Sequence, residues 1–232
     1  MSLLRPFVVV SLCLAATAAG AQAPPTEYET FLSHGKPVSC PVYENREAAQ
    51  TLIFLRGADP SDITLARQEA NFFAAHGFRV LVPEYLSVTS NARLTAANYR
   101  RWAQVVDDIV EDLAAQEQGK KIALAGQSLG ASVALVAGSH RLPIAAIAEW
   151  SGLLPNEFFS QIQSLPSLLI LHGDADEQVP ILNARQLVRL CQLRDFTCEI
   201  QIYAGQGHLF TPRIADTANQ RVLAFFRAYL AK

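Results

Sequence analysis

Gly126-Gln127-Ser128-Leu129-Gly130 constrains this chain more than any other stretch, because of its flanks. Ile122-Ala123-Leu124-Ala125 before it reads as a short buried strand, and Ala131–Ala137 after it as a helix of small and apolar residues. A Gly-x-Ser-x-Gly at a strand-to-helix turn is the nucleophile elbow, whose sharp bend lifts the serine hydroxyl off the sheet edge. The outer glycines are required where a Cβ would collide with the neighbouring helix or strand. A glycine-rich turn with an ordinary serine is the alternative, and the strand-and-helix setting argues against it.

Two further segments follow in a telling order. The apolar strand Leu168–Leu171 runs into His172-Gly173-Asp174-Ala175-Asp176-Glu177-Gln178-Val179-Pro180, and the alternating strand Cys198–Tyr203 ends in Ala204-Gly205-Gln206-Gly207-His208. Each gap is long enough for a strand-and-helix unit, so each candidate can sit at the carboxyl end of its own parallel strand. Serine, then acid, then histidine is the chain order of the α/β hydrolases, unlike that of the two well-known serine protease folds.

With these residues in view, the chain resembles the α/β-hydrolase superfamily, and within it the dienelactone-hydrolase-like esterases. Phe73-Ala74-Ala75-His76-Gly77-Phe78-Arg79-Val80-Leu81-Val82-Pro83 is similar to that family's helix, glycine stop and following strand. The segment from His172 to Pro180 is similar to its acid loop, and this resemblance implies that the carboxylate is Asp176, with Asp174 the alternative. Two departures stand out. Dienelactone hydrolases proper use a cysteine nucleophile where this chain has Ser128, which points to an esterase relative. The family commonly has His-Gly after its first central strand, whereas here Phe54-Leu55 leads into Arg56-Gly57-Ala58-Asp59.

A serine hydroxyl is a weak nucleophile at neutral pH, so a base must take its proton as the acyl carbon is attacked. His208 is the expected base, and Asp176 would fix its tautomer. His172 is expected to be structural, and His34, His76 and His140 fall in loop or helix-end positions. The developing oxyanion needs preorganised donors. The amide of Leu129 is the first, and the resemblance implies Gly57 or Ala58 as the second. Arg56 either holds a substrate carboxylate as a guanidinium fork or pairs with Asp59 to brace the loop, and the second is favoured. Glu84, at the end of a central strand, either enters the pocket or is solvated there. Ser151–Pro166, with Phe158, either forms a small apolar acyl pocket or covers the sheet.

The rest of the chain fits one domain. With 232 residues, half of them hydrophobic, it can bury a sizeable core. Met1–Ala21 carries Arg5, an apolar run and then small residues, which is the pattern of a secretory signal peptide cleaved after Ala21, leaving residues 22–232. A formal net charge of −2 and no lysine/arginine run argue against nucleic acid or anionic lipid as partners, and no second apolar stretch approaches membrane-spanning length. Export permits a disulfide, and Cys191 with Cys198 is the expected pair, buried thiols being the alternative. No cysteine or histidine spacing resembles a zinc site.

Strands are expected over Glu27–Val42, Thr51–Leu55, Phe78–Val82, Ile122–Ala125, Ile144–Ala148, Leu168–Leu171 and Cys198–Tyr203. Helices are expected over Ile63–His76, around Trp102–Leu113, after Ser128, and at the C-terminal stripe Val222, Phe225, Phe226, Tyr229 and Leu230. Alternating strands and helices predict an α/β-hydrolase fold: a mainly parallel, doubly wound sheet in a single domain without a large lid. The expected activity is an exported serine hydrolase acting on a small-molecule carboxylic ester through an acyl-enzyme, with neither metal nor cofactor. A small peptidase or amidase, and a non-catalytic binding protein of the same fold, are the alternatives. Nothing in the residues speaks to oligomeric state.

Overall fold

The computed structural model describes residues 23–44, 48–116 and 119–231; the expected signal peptide lies outside them. Eight strands form one sheet in the order β1-β2-β4-β3-β5-β6-β7-β8. They are β1 (Glu27–Ser33), β2 (Lys36–Tyr43), β3 (Gln50–Leu55), β4 (Phe78–Leu81), β5 (Lys121–Gln127), β6 (Ile144–Trp150), β7 (Ser167–Gly173) and β8 (Cys198–Tyr203). β1 and β2 form an antiparallel hairpin joined antiparallel to β4, and every pair from β4 through β8 is parallel. Among the described residues six helices, α1 (Asp62–Ala75), α2 (Ala96–Gln116), α3 (Leu129–Gly138), α4 (Asn156–Phe159), α5 (Leu182–Arg194) and α6 (Pro212–Leu230), join the strands, with a 3-10 turn at Tyr85–Val88.

Side-chain alternation along the strands sorts the core into two layers. Ile53, Leu55, Ile122, Leu124 and Ile147 pack with the buried faces of α2, α3 and α5. Leu52, Phe54, Ala123, Ala125, Ala146 and Ala148 pack with α1 and α6. The alanines on that second face leave room for bulky helix residues. Phe73 of α1 and Phe226 of α6 meet with ring centroids 6.2 Å apart, and Phe78 of β4 lies 6.0 Å from Phe226. At the carboxyl edge of the sheet this floor gives way to Phe54 and Trp150, whose rings lie 6.0 Å apart.

The strand and helix expectations hold in kind, with small changes of extent. β6 runs two residues further than its apolar core, through Glu149 and Trp150. The α1 helix begins at Asp62. Cys191, in the last turn of α5, is joined by a disulfide to Cys198 at the start of β8, while Cys40 is a buried thiol. No helix among the described residues is long and apolar enough to cross a membrane.

The two glycines of the elbow allow a close approach. A Cβ on Gly126 would come 2.5 Å from the Gly130 carbonyl, and one on Gly130 would collide with the carbonyl of Leu55. Both obstacles are backbone, so no rotamer change relieves them. Gly130→Ala is therefore expected to destabilise the protein by about 3 kcal/mol, the upper end for overpacking a core. Urea unfolding followed by circular dichroism checks this, and an unchanged midpoint would contradict it.

Candidate active site

Ser128 sits between β5 and α3 at φ 54° and ψ −118°, outside the regions where a side chain rests comfortably. The surroundings hold it there. Its N–H donates to the Trp150 carbonyl at 2.9 Å, and its own carbonyl accepts from the Ser132 N–H at 3.2 Å. Hence β6 on one side and α3 on the other fix the turn. Ser128 is partly buried at the carboxyl edge of the sheet.

The loops after β7 and β8 bring Asp176 and His208 to the same place. His208 Nε2 lies 2.9 Å from Ser128 Oγ, and His208 Nδ1 lies 2.8 Å from Asp176 Oδ2. The other Asp176 oxygen, Oδ1, accepts the N–H groups of Gln178 and Val179, both at 2.9 Å. Ser151, itself at φ 50°, donates its hydroxyl to the His208 carbonyl at 3.2 Å and so ties the histidine loop to β6. The three side chains form a continuous hydrogen-bonded relay from the acid to the hydroxyl.

The rival residues have other partners. Asp174 is exposed and accepts the Gly205 N–H at 2.6 Å, closing the turn after β8. His172 is fully buried, with Nε2 2.7 Å from the Val179 carbonyl, where it props the acid loop. His140 bonds Asp107 at 2.8 Å, joining the end of α3 to α2.

On the opposite side of Ser128, the loop after β3 brings in Gly57. A Cβ there would lie 3.4 Å from the Ser128 Cβ and would push the Asp62 carboxylate aside. Leu129 opens α3, and its N–H belongs to the first turn of a helix, where amides have no partner within the helix. Ala58 follows Gly57 in the same loop.

Three substrate-binding expectations need correction. Arg56 does not pair with Asp59. Its guanidinium bonds Glu84 at 3.2 Å and the Gly57 carbonyl at 3.0 Å, while Asp59 accepts the Ser61 N–H and hydroxyl. The loop is still braced, but across β3 and β4 rather than within itself. Arg56 and Glu84 line a small cleft of about 40 Å³ with Tyr28 and Tyr43, away from the main cavity. Phe158 does not line an acyl pocket either. It is buried in the α2–α3 layer, its ring 6.2 Å from that of Tyr99 and under the Arg100 guanidinium.

The main cavity, about 410 Å³, lies on the other face, between α1 and α6. Phe54, Leu65, Trp150, Leu209 and Phe210 form its apolar walls, and His208, Gln127 and Ser151 lie where it meets the relay. Asp62, Glu69 and Asn219 also line it, and none of these was anticipated. Burial holds the Asp62 carboxyl above its usual range, although it accepts the Asp59 N–H at 3.0 Å.

A second buried acid braces the elbow. Glu149, fully buried at the end of β6, accepts the Gly152 N–H at 2.8 Å, and burial pushes its carboxyl up to about 8 from an ordinary 4.5. Glu69 is likewise pushed up to about 8, chiefly by burial. A folded-state value raised above the unfolded one stabilises most at low pH, and that contribution fades as pH rises through about 8. The thermal midpoint is therefore expected to fall between about pH 5 and about pH 8, and Glu149→Gln to flatten the fall. A slope unchanged in that variant would assign the titration elsewhere.

A mainly parallel sheet with a sharp serine turn at its carboxyl edge, and only the short α4 between β6 and β7, defines the α/β-hydrolase fold. Solved structures bear out that class. A putative dienelactone hydrolase from Klebsiella pneumoniae matches with TM-score 0.69 at 16% identity, over 88% of this chain and 98% of that one. Esterase PE8 matches with TM-score 0.65 at 24% identity, over 83% and 99%. An α/β serine hydrolase without lid from Xanthomonas campestris matches with TM-score 0.70 at 19% identity, over 90% and 97%. The chain belongs to the dienelactone hydrolase family, whose sequence profile matches residues 52–230. No curated protein sequence matches it.

Proposed function

We propose that this hydrolase is a serine esterase in which Ser128 is the nucleophile, His208 the general base and Asp176 the residue that orients the imidazole. The observation that carries the reading is the unbroken relay from Asp176 Oδ2 through His208 to Ser128 Oγ, at 2.8 and 2.9 Å. Ser128 Oγ attacks the acyl carbon while His208 Nε2 takes its proton; the imidazolium then protonates the departing alcohol. Water, activated by the same nitrogen, releases the acid from the acyl-enzyme. The Leu129 N–H and an amide of the Gly57–Ala58 loop would hold the oxyanion, each such donor contributing about 3 kcal/mol. With only the short α4 inserted between β6 and β7, a small or surface-presented ester can reach Ser128 without a lid moving.

Export is part of the same proposal. The apolar segment over residues 1–21 supports it, and so does the Cys191–Cys198 disulfide, since such bonds persist in oxidising compartments.

A fluorophosphonate probe tests the esterase reading directly. Labelling mapped to Ser128, together with turnover of p-nitrophenyl esters of graded acyl length, is expected. An unlabelled Ser128 in folded protein would favour a binding protein on a hydrolase scaffold, and turnover of amides alone would favour a peptidase.

A further inference from the structure

The α1–α6 cavity has an acidic inner wall. Glu69 of α1 and Asn219 of α6 line it, only 7% and 6% exposed, and the Asn219 amide bonds the Glu69 carboxyl. Glu69 Oε2 and Asn219 Oδ1 are both left without a hydrogen-bond partner. Buried polar atoms almost always have one, so two orphaned oxygens side by side require a reason. Among the described residues no lysine or arginine lines the cavity, whereas Asp62 adds a second carboxylate to it. Phe54 and Trp150 contribute to its apolar lining.

These features fit one ligand chemistry. A carboxylate or phosphate would meet only like charge. A hydroxyl brings one donor for two oxygens. A protonated amine brings three donors and a positive charge. We propose that the Glu69–Asn219 pair is a recognition subsite for a basic amine carried by the ester substrate. The proposal rests on the esterase reading for its chemistry, but not for its binding.

Other ionisable groups near Glu69 do not supply that cation. Asp216 of α6 is acidic, Asp62 is acidic, and His208 is engaged with Asp176 and Ser128. An amine would therefore draw Glu69 into its ionised form. Its binding should tighten as the pH is raised from about 6.5 to about 8.5.

The test compares kcat/KM for p-nitrophenyl esters of ω-amino acids of about four to seven carbons with the matched unsubstituted esters. Wild-type protein is expected to prefer the amino ester by about tenfold at one chain length. Glu69→Gln should abolish that preference yet leave the neutral ester's rate nearly unchanged. Asn219→Ala should weaken the preference without altering charge, which keeps the test open if the first variant folds poorly. In parallel, calorimetry on Ser128→Ala should detect hexylammonium but not 1-hexanol. Equal turnover of the paired esters at every length, or a preference for an ω-hydroxy ester, overturns the subsite. If no ester is turned over, the esterase reading falls and calorimetry alone decides. Hexylammonium binding lost on Glu69→Gln supports the subsite, and absence of binding overturns it.

Discussion

Ser128→Ala is expected to remove ester hydrolysis almost completely, by about 10⁶ in kcat, because relay members act as a unit and losing the nucleophile costs nearly as much as losing all three. The fold should survive. Alanine keeps the Cβ, and the bonds that fix the turn run through the backbone of residue 128, to Trp150 and Ser132. Among the described residues, the side-chain bond lost is the 2.9 Å contact to His208 Nε2. Backbone strain makes a second variant informative. At φ 54° and ψ −118° a side chain costs of order 1–3 kcal/mol, and glycine escapes that cost. Ser128→Gly should thus be as inactive as Ser128→Ala but unfold at a higher temperature. Hydrolysis, probe labelling and thermal unfolding of the three proteins provide the measurements. More than a few per cent of wild-type turnover in either variant would remove Ser128 from the nucleophile role.

The elbow was readable because its constraint is local. Two glycines, a serine, an apolar strand and a small-residue helix lie within one contiguous stretch, and Gly126 and Gly130 are confined by each other and by Leu55. The order of Ser128, Asp176 and His208 was readable because each follows an apolar run that becomes a parallel strand. Arg56 was misread because proximity in sequence favoured Asp59. Its partner, Glu84, arrives from the end of β4, a neighbour only after the sheet has paired. Phe158 carried a signal of burial but none of side, and the side decides whether a residue lines a site or covers a sheet. The cavity was invisible for the same reason. In Arg67-Gln68-Glu69-Ala70-Asn71, Glu69 looks like one more solvated position on α1, and only the packing of α6 against that helix buries it beside Asn219.

Asp176→Asn should lower kcat/KM by about 10⁴ through the tautomer of His208, the loss seen when a serine hydrolase of this design has its acid made an amide. The local bonds predict which way the new side chain turns. Oδ1 receives two N–H groups, from Gln178 and Val179, so the asparagine oxygen must stay there and its NH₂ must face His208 Nδ1. A donor opposite Nδ1 obliges that nitrogen to be the acceptor, and the ring proton moves to Nε2. The nitrogen facing Ser128 Oγ, at 2.9 Å, then can no longer accept the hydroxyl proton. Because both bonds to Oδ1 persist, the unfolding midpoint should change far less than the rate. Asp174→Asn is the control. Asp174 serves only the Gly205 N–H, a bond an asparagine oxygen also accepts, so activity should stay within a few-fold of wild type. Equal losses for the two variants, or a larger loss for Asp174→Asn, would show that the carboxylate orienting the base had been misassigned. If activity fell only in proportion to lost folded protein, Asp176 would be a loop brace and no more.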